Sequence, residues 1–308
     1  MTAEPDTPEP DEVPAGAEPE DVPAGAEPEL GNAVSVRAER GARMTPSEAV
    51  RDMRITLPAR GNRKLRDLIE RVNRDTQLKA LWHAANVNAV TRLQINDHSW
   101  VHIQIVTNIG LKLLRELRRA GVEPGMVADY GMTKEDAEVV VVLGCLTHCL
   151  GMAIHRTWHE DMSLFLAADR MPRLLAGLYE EPELTIVQAE VLQTIISHRS
   201  DGVPLSIEAG VVRVADALDM AKGRSRIPFE SGRVSIHSLS AAAIEEVRIK
   251  GTDGTVKIEI EMNNSAGLYQ VDNLLRSKLR GSGLEERIEV EATISGESEK
   301  RLLPPFRL

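Results

Sequence analysis

Cysteine is nearly missing from this chain: 308 residues contain two, Cys145 and Cys149. Two thiols four positions apart on one predicted helix build no disulfide framework, so the chain reads as reduced and cytoplasmic. No apolar stretch reaches the length of a membrane span; VVVVLGCLTHCLGM is too short and carries a histidine. The N-terminus has neither a basic n-region nor an apolar h-region, which argues against a secretory leader. A GxxxxGK[ST] loop is absent, so ATP is not expected in a P-loop cradle. Positive charge is not in excess either. The net charge is −10, and residues 1–30 hold ten acids and no base, which leaves the rest near neutrality. That balance gives no electrostatic reason to expect nucleic-acid binding.

What is present divides into three. The near-repeat DEVPAGAEPE–DVPAGAEPE cannot bury enough apolar surface to offset backbone ordering, so residues 1–42 read as a disordered acidic, proline-rich tail ending in a basic linker. Residues 43–240 read as one all-α domain. Apolar spacing near 3.6 runs through NRKLRDLIERVNRD, LKALWHAANVNAVTRL, HSWVHIQIVTNIGLKLLRELRRAG, DAEVVVVLGCLTHCLG, HEDMSLFLAADRMPRLLAGLY, LTIVQAEVLQTIISH and SIEAGVVRVADALDMAKG. Gly121 is a natural helix stop, and Thr133 with Asp136 resembles a capping box. The helix containing VVVV is apolar nearly all round and must run through the middle of the bundle. From residue 241 to 308 the period shifts to 2. EVRIKG and TVKIEIEMN flank a TDG turn, GLYQVDNLLRSKLR is an amphipathic helix, and RIEVEATIS alternates again. The expected fold is mainly α: the helical domain, then a small α+β layer of about three strands and one helix.

Six of the eight histidines lie between residues 98 and 198. His102 precedes Ile103, Ile105 and Val106 and so faces inward. His148 occupies the apolar central helix, where imidazole is seldom placed. Asp216 follows Val211, Val212, Val214 and Ala215, with Asp219 close behind. Carboxylates are rarely buried unless paired or bound to a metal. One carboxylate and histidines from other helices point to a shared cation, and such donors suit zinc, iron or manganese.

The order of these residues resembles the HD-domain superfamily, an all-α family made up largely of metal-dependent phosphohydrolases. The resemblance spans roughly residues 95–226, through HIQIV, a His–Asp-type doublet before LGM, ISHRSDGVPLSIEAG and VRVADALD. It implies His102, His148 and Asp216 as ligands of one or two divalent ions, with His159 and His198 as further ligands and His155 as a candidate proton donor. One position departs from the family pattern: the acid of the doublet is Cys149. A thiolate there is either a ligand, which favours zinc or iron over magnesium or manganese, or a small hydrophobe in a site that has lost a ligand.

The resemblance implies hydrolysis of a nucleotide or other small phosphoester, with Asp216 in the catalytic centre. Lys222, Arg224 and Arg226 stand where basic groups grip a substrate phosphate. The alternative is a degenerate domain that binds a nucleotide or a protein and regulates. No membrane partner is expected, and a homo-oligomer formed through the alternating strands is open.

Overall fold

The computed structural model describes residues 44–199, 201–220 and 240–295. The acidic tail, the basic cluster Lys222–Arg224–Arg226 and the last 13 residues (296–308) lie outside the described residues. Within them the chain is mainly helical, with a three-stranded sheet after the helical part.

Among the described residues the first part contains nine α-helices: α1 (Pro46–Arg51), α2 (Arg63–Arg74), α3 (Thr76–Asn86), α4 (Trp100–Arg119), α5 (Gly125–Ala128), α6 (Lys134–Thr147), α7 (His159–Leu174), α8 (Glu183–Ser197) and α9 (Ile207–Leu218). Local chemistry sets their ends. Ser99 Oγ accepts from the Val101 amide at the start of α4. Gly121, at φ +84°, closes its end, with the Gly121 and Val122 amides bonded to the Arg118 and Leu117 carbonyls. That is a Schellman stop at the expected glycine. Thr133 and Asp136 form the expected capping box of α6.

α6 is the axis of the bundle. Every residue from Asp136 to Thr147 is buried, and α4, α8, α9 and α2 pack around it. With the turn that follows it, α6 makes a 20-residue stretch, Lys134–Ala153, whose most apolar 18 residues have a mean hydropathy of 1.5. By length and composition that stretch matches a membrane span, which corrects the expectation that no segment is long enough. Of those 18 residues 94% are buried inside the bundle, as in a core helix.

The second part consists of β1 (Ile244–Gly251), β2 (Val256–Met262) and β3 (Ile288–Ile294), in the order β1-β2-β3. β1 and β2 form the antiparallel hairpin, with Ile249 opposite Ile258. β2 and β3 are parallel, with Val256 opposite Ile288, so a helical crossover must join them. Consecutive helical turns supply it and end in α10 (Arg276–Leu279). Val256, Ile258, Ile260 and Met262 are buried, while Lys257, Glu259 and Glu261 on the other face are half-exposed. The sheet lies against α4, and α10 lies against α9. Both helices carry residues of the site described next.

Candidate metal centre

His102 sits in the first turn of α4, His148 at the C-terminal cap of α6, His198 at the cap of α8, His159 at the first position of α7, and Asp216 in the last turn of α9. Five helix ends therefore meet at one corner. Two close backbone approaches make this possible. A Cβ at Gly151 would stand 1.9 Å from the His159 carbonyl oxygen, so only glycine lets the turn after His148 pass under the start of α7. A Cβ at Gly210 would stand 2.3 Å from the Ser282 carbonyl oxygen, so α9 meets the C-terminal layer at backbone distance.

Each imidazole is held by its Nδ1. In His102 it bonds to Asp219 Oδ2 at 2.6 Å, in His148 to the Cys145 carbonyl at 2.8 Å, in His198 to the Ile195 carbonyl, and in His159 to the Arg156 carbonyl at 3.0 Å. Carbonyl and carboxylate oxygens only accept, so each Nδ1 is the donor and Nε2 is left to face the centre. The Nε2 atoms of His102 and His148 are 3.3 Å apart, and each lies 3.6 Å from Asp216 Oδ1. Two acceptor nitrogens and a carboxylate at such distances require a positive charge among them, either a proton or a metal ion.

Among the described residues, three groups of side chains offer ligand atoms that, within each group, all lie within 4.8 Å of one another: His102–His148–Cys149, His148–His198–Asp216 and His159–Glu160–His198. They share His148 and His198 and form a continuous chain of donors. The ring centroids of His148 and His198 are 5.0 Å apart, and those of His159 and His198 are 5.9 Å apart. Nitrogen, carboxylate and sulfur donors in this arrangement could hold a metal ion.

The electrostatics follow from burial and proximity. Burial drives His198 well below the ordinary imidazole range and lowers His159, so both are neutral donors at pH 7. Burial also opposes charge on Cys149 and His148, but their mutual attraction outweighs it. The adjoining imidazoles of His148 and His102 bring the Cys149 thiol below its usual value, while Cys149 and Asp216 raise His148. Cys145 behaves in the opposite way: burial and then the Asp216 charge push it up, so it stays a neutral thiol.

Of the residues singled out from sequence, the structure brings together His102, His148, Cys149, His159, His198 and Asp216. His155 is not in these groups; it is exposed, and its Nδ1 accepts from the Thr157 amide at 3.1 Å. Three participants were not singled out. Asp219 orients His102, Glu160 joins His159 and His198, and Lys278 of α10 places Nζ 3.7 Å from Asp216 Oδ2 while donating to the His198 carbonyl. Asp219 had a signal, since it follows Asp216 by one helical turn in VADALD. Lys278 had none, because its partners are set by tertiary docking.

Fold and site together define a mainly helical protein with a buried histidine–carboxylate–thiol centre able to hold a metal ion. The chain is similar to the uncharacterized protein MJ1020 of Methanocaldococcus jannaschii, with 40% identity over 214 residues, which is 69% of this chain and 83% of the relative. It belongs to the same family as that protein. No family model matches the chain, and no solved structure matches it.

Proposed function

We propose that this chain is a metal-dependent phosphohydrolase acting on a nucleotide or other small phosphoester in the cytoplasm. The observation that supports this most strongly is the convergence of the His102 and His148 Nε2 atoms with Asp216 Oδ1, in the order that resembles the HD-domain superfamily. His102, His148 and Asp216 would hold one ion, with Cys149 as a sulfur ligand. His159, Glu160 and His198 would hold a second. Zinc, iron and manganese all suit the nitrogen and oxygen donors, and the thiol favours zinc or iron. A bound divalent ion supplies Lewis acidity, which activates water and offsets charge on phosphoryl oxygens. The chain's own contribution is positioning. Asp219 and the Cys145 and Ile195 carbonyls fix the rings, and the apolar turns of α4, α6 and α9 exclude bulk water from the inner side. His155, which is exposed and outside the ligand groups, is the candidate proton donor to the leaving group on the HD-domain resemblance alone.

Cys149 favours a second reading, a domain that has lost turnover and binds a nucleotide or a protein as a regulator. Metal content per chain, measured by mass spectrometry on protein purified without chelator, decides between them alongside turnover on a phosphoester panel. Wild type is expected to carry one or two equivalents and to release phosphate, with Asp216→Asn losing both. An empty, inactive wild type beside a filled Cys149→Asp variant would transfer the conclusion to the regulatory reading.

A further inference from the structure

The α+β layer shows no chemistry in its sequence pattern, yet it sends one charged side chain into the centre. Lys278 Nζ donates to the backbone carbonyl of His198 and stands 3.7 Å from Asp216 Oδ2. The side chains of His102 and His148 are 1% exposed, whereas those of Asp216 and Lys278 are 17% and 16% exposed. Asp216 and Lys278 are thus open to solvent to the same degree as His159 and Glu160, at 15% and 18%, and a small anion can reach the ammonium.

The placement of this ammonium is fixed by a buried neighbour. Arg213, one helical turn before Asp216 on α9, donates Nε to the Lys278 carbonyl at 2.9 Å and one terminal nitrogen to the Ser277 carbonyl at 3.3 Å. Its other terminal nitrogen reaches the Arg199 carbonyl at 2.9 Å and the Gly202 carbonyl. One guanidinium thus ties the backbone of Lys278 to the turn that follows His198. The bare glycine surface at position 210 seats the next turn of the layer, Ser282, on the same helix.

A structural tie to the His198 carbonyl needs only a neutral donor. The positive charge also forms an ion pair with Asp216. The charge has a use when an anion arrives, because a compact ammonium binds a phosphoryl oxygen by a charge-assisted hydrogen bond. We propose that Lys278 is a substrate-binding residue, its ammonium holding a phosphate oxygen beside the His102–His148–Asp216 centre, so that the C-terminal layer completes the site. This rests on the phosphohydrolase reading and adds to it a residue from outside the helical domain.

The test is a calorimetric titration of the metal-loaded, full-length protein with inorganic phosphate, with metal content and melting temperature measured in parallel. Lys278→Gln keeps a donor for the His198 carbonyl and removes the charge; Lys278→Arg keeps the charge. The expected result is that Lys278→Gln retains its metal and melting temperature but binds phosphate about tenfold or more weakly. Lys278→Arg should stay within a few-fold of wild type. Phosphate affinity equal to wild type in a metal-filled Lys278→Gln protein would overturn the proposal alone and leave the phosphohydrolase reading standing. Loss of metal from Lys278→Gln would mark the residue as support for the centre, and would also overturn it. A metal-loaded wild type with no affinity for phosphate would remove both.

Discussion

Asp219 decides which nitrogen of His102 faces the centre. Its carboxylate accepts from Nδ1 at 2.6 Å, and that bond both fixes the ring and makes Nε2 the donor atom for a cation. Asp219→Asn keeps the size but is able to present an amide N–H to Nδ1, which favours the wrong tautomer. The expected outcome is metal affinity lower by about 10- to 100-fold with little change in fold, read by competition with a chromogenic chelator and by circular dichroism. A wild-type affinity in Asp219→Asn would show that the ring is held by its packing alone. His102, His148 and Asp216 were legible in the sequence because each interrupts an apolar helical pattern that has no place for it. Cys149 was legible as a thiol beside His148, but its electrostatic state was not. Against burial, the thiol is depressed first by its neighbour His148 and then by His102, which lies 47 positions earlier in the chain (102 to 149) and comes close only when α4 packs on α6.

At the scale of elements, periodicity and caps carried most of the fold: α2, α4, α6, α7, α8, α9 and the β1–β2 hairpin all fall on segments whose pattern predicts them. The parallel pairing of β2 with β3 was not legible, since alternation specifies which face is buried and not which neighbour a strand takes. The close approaches were equally hidden. Gly210 reads as an ordinary helix glycine, yet it is where the Ser282 carbonyl meets α9. Gly210→Ala is therefore expected to act against its helix propensity. It should destabilise the protein by about 1–3 kcal/mol, as overpacking does. Chemical denaturation checks this, and a gain in stability would mean that the Ser282 turn yields freely. Because α10 rides on the same contact, the variant should also weaken phosphate binding more than it weakens metal binding.

Across the whole molecule, two buried acids near the start of α6 tie distant segments to the core. Asp136 accepts from Lys64 at 2.7 Å and Tyr179 at 2.9 Å, and Glu138 accepts from Arg115 at 2.8 Å and Asn62 at 3.1 Å. Burial alone would raise both carboxyls, but these donors hold them below their ordinary values of 3.8 and 4.5. A depressed folded pKa gives stability that is complete above the unfolded value and lost as pH falls through the folded one. Denaturation midpoints should begin to decline as pH falls below the ordinary imidazole value of 6.5, because His198 and His159 resist protonation only in the folded chain. They should fall more steeply below about 4.5, and Asp136→Asn should flatten part of that steeper fall. An unchanged acid limb in Asp136→Asn would show that other carboxylates govern it. The central position of α6 also carries a consequence for synthesis. The span-like segment Lys134–Ala153 is made before α7, α8, α9 and the C-terminal layer. A growing chain thus presents this apolar segment with α2 and α4 already made, while α8 and α9, which cover the rest of it, are still being translated. Protection of that segment from aggregation and from membranes falls to whatever meets the nascent chain during that interval.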